Sequence, residues 1–157
     1  MDLRKYLLDT FGYNDQTNRQ LLKKISELPD PSPCIKYFSH LINSQNKWMA
    51  RMMQDPAAPE MDWWDPVYPL EELETRWKDS LDKWKEYLAA RSEAELTLEV
   101  TFIGYDGSRW AATPADIALQ LNYHSIHHRA QMQTIIREQG VEPDFVDFIG
   151  TRYRKLD

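Results

Sequence analysis

A single cysteine, Cys34, excludes an internal disulfide framework and any zinc site built from several thiolates. Glycine is also scarce, with 5 among 157 residues. None of them forms a phosphate-cradling loop or a serine nucleophile elbow. No apolar run approaches the roughly 20 residues needed to span a bilayer. The opening Met1-Asp2-Leu3-Arg4-Lys5-Tyr6 has no hydrophobic core behind it, so no signal peptide is expected. Basic charge is in deficit: 19 Lys and Arg against 25 Asp and Glu give a net charge of −6, which argues against a sequence-independent nucleic-acid binder. These absences fit a cytoplasmic protein with neither membrane nor nucleic acid as partner.

What remains is ordinary for a globular chain, 42% hydrophobic and 28% charged, and its length predicts one domain over residues 1–157. The 6 tryptophans and 8 tyrosines belong first to core and pocket walls. Leu3, Leu7, Phe11, Leu21, Leu22, Ile25 and Leu28 predict one helix over about residues 3–28, with its period weakest near Gly12-Tyr13-Asn14-Asp15. Ser32 as N-cap and Pro33 at the first position start a second helix, with Cys34, Phe38, Leu41, Trp48, Met49 and Met52 as its inner stripe. It ends near Gln54-Asp55-Pro56. The proline-rich stretch to Pro69 is a loop in which Trp63-Trp64 is expected to cover the bundle end.

Leu70, Leu73, Trp77, Leu81, Trp84 and Leu88 recur at helical spacing, the clearest amphipathic pattern in the chain. Its many Glu, Lys and Arg residues mark a solvated outer face. Leu96, Leu98, Val100 and Phe102 then alternate with polar residues, which predicts a strand. Asp106-Gly107 predicts a turn, and Arg109-Trp110-Ala111 a short returning strand. Thr113, Pro114 and Asp116 launch a last helix that runs to Glu138-Gln139 and stops at Gly140. Phe145, Val146, Phe148 and Ile149 in the tail are expected to dock on the body. The predicted fold is all-α: a four-helix bundle with a small β-hairpin inserted before the last helix. The loop after the second helix is long enough to cross the bundle, so simple up-down connectivity is not required.

Three of the chain's four histidines lie in the last helix, within Asn122-Tyr123-His124-Ser125-Ile126-His127-His128-Arg129-Ala130-Gln131. His124 and His128 are one turn apart on one face, a spacing at which two imidazoles can share a metal ion. The inward row can be traced as Ile117, Leu121, His124, His128, Gln131 and Ile135. Burying three polar side chains together costs several kcal/mol unless each finds a partner. Two readings stay open on the residues alone: a metal-ligating pair, or hydrogen-bonded core histidines. His127 lies about 100° around the helix from His128, which places it at the rim. His40 lies off the centre of its helix's apolar stripe, so periodicity supports it only weakly as a third ligand. Cys34, on an apolar stripe, reads as a packed thiol.

The string His124-Ser125-Ile126-His127-His128-Arg129-Ala130-Gln131 resembles the HxxHHRGQ signature of the DinB/YfiT-like family of metal-binding four-helix bundles. His40 followed by Trp48, Met49 and Arg51 is similar to that family's second-helix pattern, and Gly140 to Ile149 to its usual ending. Ala130 departs from the glycine common there, a change that bears on helix packing near the site. The resemblance implies a divalent ion (zinc, nickel or iron) held by His40, His124 and His128, with water at the open positions. Several members of the family resemble transferases that use a low-molecular-weight bacterial thiol, and a maleylpyruvate isomerase is related.

The leading expectation is a metal-dependent enzyme that activates a low-molecular-weight thiol for transfer to a small electrophile. Gln131 and Arg129 would orient a ligand or hold an anionic substrate group, and His127 would move a proton. The alternatives are metal-assisted hydrolysis by bound hydroxide, and a non-catalytic metal- or ligand-binding stress-response protein. A homodimer formed through an exposed helix face is a further expectation.

Overall fold

Asp2 opens the first helix: its carboxylate accepts from Lys5 N at 2.9 Å, and α1 runs Leu3–Ile25. The protein is described by a computed structural model over residues 1–157. The apolar period of α1 weakens at mid-length because Asn14, Thr17 and Asn18 face inward as polar residues, while the helix itself continues unbroken. Leu28, just beyond its end, is still buried.

α2 spans Ser32–Met52 with Pro33 in its first turn. The N-cap is Pro31, which has no capping side chain, and not the Ser32 expected from sequence; Asp30 Oδ1, one residue earlier, accepts from Ser32 N at 3.1 Å. α3 spans Leu70–Ala89 and buries Leu73, Trp77, Leu81, Trp84 and Leu88, as its spacing predicts.

The alternation from Leu96 to Phe102 is only half a strand. Ser92 and Glu95 form a reciprocal capping box that starts a one-turn helix, α4, at Glu93–Leu96. Leu96 is fully buried in that turn, and Leu98 is left exposed. β1 is limited to Val100–Ile103 and pairs antiparallel with β2, Arg109–Ala112, with Val100 opposite Ala112 and Ile103 opposite Arg109. Gly107 closes the turn at φ 77°, where a side chain would be strained. Thr113 Oγ1 then accepts from Asp116 N at 3.1 Å, and α5 runs Pro114–Glu138.

The long helices neighbour one another in the cyclic order α1, α3, α2, α5, so α1 lies across from α2 and α3 across from α5. The long loop after α2 therefore joins neighbours. The crossings fall instead on the short α1–α2 turn and on the α4–hairpin connection. The core includes Phe11, Phe38, Trp77, Trp84, Leu121 and Met132. No helix is long and apolar enough to cross a membrane.

Two sequence expectations are corrected by packing. The buried row of α5 from its middle onward is Leu121, Asn122, Ser125, His128, Arg129, Met132 and Ile136, while His124, Gln131 and Ile135 are half-buried at its edge, His124 facing His40 of α2. The tail is held to α1 at its edges, not buried. Tyr13 Oη donates to Val146 O at 2.6 Å and the Tyr13 ring meets Phe148 edge-on at 5.3 Å, yet Phe145 and Ile149 stay largely exposed.

Candidate metal centre

α2 and α5 are neighbours, and their facing edges bring His40, His124 and His128 together, with one ring nitrogen from each within 4.8 Å of the others. His124 Nε2 lies 2.9 Å from His40 Nε2 and 3.0 Å from His128 Nε2. The outer nitrogens are already committed. His40 Nδ1 lies 2.7 Å from Trp63 O, and His128 Nδ1 lies 2.6 Å from Gln131 Oε1. Both oxygens can only accept, so each Nδ1 carries the proton and each neutral ring presents a bare Nε2 lone pair. Those two lone pairs converge on one nitrogen of His124, whose single N–H can serve only one of them well.

A cation resolves that conflict, and the two spacings from His124 to its neighbours match those of ligands on one ion. Two nitrogens about 2.0–2.1 Å from a divalent ion lie about 2.9–3.4 Å apart for angles between square and tetrahedral. Outward N–H groups held by a carbonyl and an amide are also the arrangement that fixes a ligand histidine's tautomer. The three-histidine group could therefore hold a metal ion.

Burial lowers the pKa of all three rings. His124 is pushed down to about 3, by burial first and then by its histidine neighbours. For His40, burial outweighs the opposing pull of the Trp63 carbonyl, and for His128 it outweighs the Gln131 bond. All three are neutral at pH 7, the form that offers a lone pair.

The surroundings are aromatic. Trp64 stacks on the His40 ring at 3.8 Å and 7°, and Tyr37 lies 5.3 Å from His128. Trp63 and Trp64 thus cover the histidines, not the bundle end. A pocket of 240 Å³ reaches His40 and His124 and is walled by Trp48, Trp63 and Leu121, with Ser44 and Gln120 at its polar side. No carboxylate lines it. His127 is exposed, its ring centre 4.9 Å from that of His128, and it stands outside the trio.

Arg129 goes elsewhere, which corrects its expected role at a substrate. Its guanidinium is buried against α1, donating to Asn14 Oδ1 at 2.9 Å, Asn18 Oδ1 at 3.0 Å and Tyr13 Oη at 3.0 Å. Asn14 and Asn18 in turn bond Asn122 and Ser125. This polar layer was legible as a second stripe one step around α5, at Asn122, Ser125 and Arg129. The Trp63 carbonyl and the Trp64 ring could not be placed from sequence, because contacts made by a loop leave no period, and Tyr37 of α2 meets His128 from the edge of its helix's apolar stripe.

Four long helices with a histidine trio between two neighbours define a class, the helical bundle with a candidate metal centre on its side. Within that class, the sequence pattern of the DinB superfamily matches residues 13–132, and the chain belongs to this metal-binding superfamily. The matched span contains all three histidines, the aromatic loop and the hairpin. No curated protein matches the chain.

Proposed function

We propose that His40, His124 and His128 hold a divalent ion (zinc, nickel or iron) and that the protein is a metal-dependent enzyme activating a low-molecular-weight thiol for transfer to a small electrophile. The observation that carries the metal site is the convergence of bare nitrogens on His124, with tautomers set by the Trp63 carbonyl and Gln131. When bound, such an ion makes a thiol or water beside it easier to deprotonate.

The chain's own residues do the rest. Trp63 O and Gln131 hold the His40 and His128 rings in place, and Trp48, Trp63 and Leu121 give the pocket an apolar wall. His127, exposed beside His128, would pass a proton to solvent in this reading. No carboxylate stands on the pocket wall to serve as a protein base, so a bound ion would have to supply the acidity of the nucleophile. The choice of a thiol rests on the family resemblance.

Elemental analysis of the purified protein, followed by conjugation assays with and without added thiol, tests the proposal. Full metal content in His40→Ala and His128→Ala proteins would remove the centre. Turnover without thiol points to hydrolysis, and full occupancy with no turnover on thiol and ester panels to a binding protein.

A further inference from the structure

We propose that the cleft between the C-terminal turn of α2 and the hairpin binds a small oxyanion, a carboxylate or phosphate group, through Arg51 and Arg109. The cleft measures 420 Å³, and its walls include both arginines with Gln54, Thr101 and Phe102. Arg51 is only 8% exposed, yet neither it nor Arg109 forms an ion pair with any carboxylate of the chain. A buried cation without a counter-charge needs an explanation.

Part of that explanation is aromatic. The Arg51 guanidinium lies 4.6 Å from the Trp48 ring centre, 5.0 Å from Trp63 and 4.8 Å from Phe102. Rings cover the faces of the guanidinium plane; its N–H edge still requires oxygens. Only Nη2 has one, Ile103 O at 3.3 Å. Nε is sealed from solvent with no acceptor, and Nη1 bonds nothing in the protein.

The polar neighbours do not supply the missing acceptor. The Gln54 amide nitrogen is spent on Arg51 O and Thr101 O. Asp55, the one carboxylate on the cleft wall, accepts from Ala57 N at 2.9 Å and forms no ion pair with Arg51. Arg109 adds a second, exposed guanidinium from the start of β2. Two forked donors around one concavity suit an oxyanion, which accepts such edges in paired hydrogen bonds. The cleft shares no lining residue with the pocket at His40 and His124, and the Trp48 and Trp63 indoles stand between them. The cleft is thus a site separate from the histidine trio.

The test is a titration of the full-length, metal-stripped protein with inorganic phosphate and, separately, with acetate, against sodium chloride at matched ionic strength. Tryptophan fluorescence is the readout, since Trp48 and Trp63 lie against the Arg51 guanidinium and Trp110 follows Arg109. A saturable change with at least one oxyanion, absent with chloride, is expected, and the tighter of the two names the group. Apparent affinity should fall at least about tenfold in Arg109→Ala, the cost of one charge-assisted contact. Arg51→Gln should abolish the change. Arg109 is exposed, so its variant decides the matter even if Arg51→Gln fails to fold. No saturable change, or a response that Arg109→Ala leaves intact, overturns the proposal.

Discussion

The backbone carbonyl of Trp63 lies 2.7 Å from Nδ1 of His40, while the next residue, Trp64, stacks its ring on the same imidazole. A loop between α2 and α3 thereby fixes both the tautomer and the plane of a side chain on α2. Gln131 performs the matching task for His128 one turn further along α5. The trio is positioned before any ligand arrives.

That positioning can be measured. Gln131→Ala should lower zinc affinity about 10–100-fold, the range for losing a group that orients a ligand histidine. Gln131 is half-buried and outside the core, so the melting temperature of the metal-free protein should barely move. Competition with a chromophoric chelator gives the affinity. An unchanged value would mean that Gln131 does not orient the ring.

Acidification has a predicted sign. His40, His124 and His128 all have pKa values lowered by burial, His124 to about 3. A lowered histidine value means the neutral ring is favoured in the fold. Its stabilising effect is therefore full above pH 6.5 and is lost as pH falls through the folded value. The metal-free protein should lose thermal stability progressively below pH 6.5, and His124→Gln should flatten that slope. Parallel Tm-against-pH curves for the two proteins would contradict the assignment.

Cys34 makes the opposite case for a titratable group with no part in chemistry. Burial pushes its thiol up to about 11, and the side chain is fully enclosed beside Met132 O. Its contribution to stability is full below pH 9 and is lost as pH rises towards 11. At pH 8 a rise from 9.0 to about 11 cuts the thiolate fraction about a hundredfold, before access is considered. Iodoacetamide should therefore label native protein at least about a hundredfold more slowly than urea-unfolded protein. Fast native labelling would show that the thiol is reachable.

Much of this architecture was readable from period alone, and the exceptions have physical causes. α3 buries the stripe its spacing predicts because one apolar face meets one core. α2 does not behave that way. Between Phe38 and Lys47 it is buried on almost every side, since α3, α5, the aromatic loop and β1 all lie against it. His40 therefore looked marginal in the pattern although it is 6% exposed. Leu96 reads as strand by alternation, but Ser92 and Glu95 satisfy the backbone of a helical turn first. A local hydrogen-bond closure outweighs a two-residue period that only four residues sustain.

Arg129 gives the sharpest separation between fold and site. It directly follows the candidate ligand His128 in sequence, yet its guanidinium faces α1 and holds Asn14, Asn18 and Tyr13. Arg129→Ala leaves two buried amide oxygens without their donor and opens a cavity, so a loss of about 3 kcal/mol or more is expected. Denaturant unfolding reads that loss. Zinc affinity of the folded fraction should stay within about twofold of wild type, because no atom of the trio depends on the guanidinium. Should zinc affinity collapse while stability holds, Arg129 acts at the metal centre and its place in the α1–α5 layer is secondary.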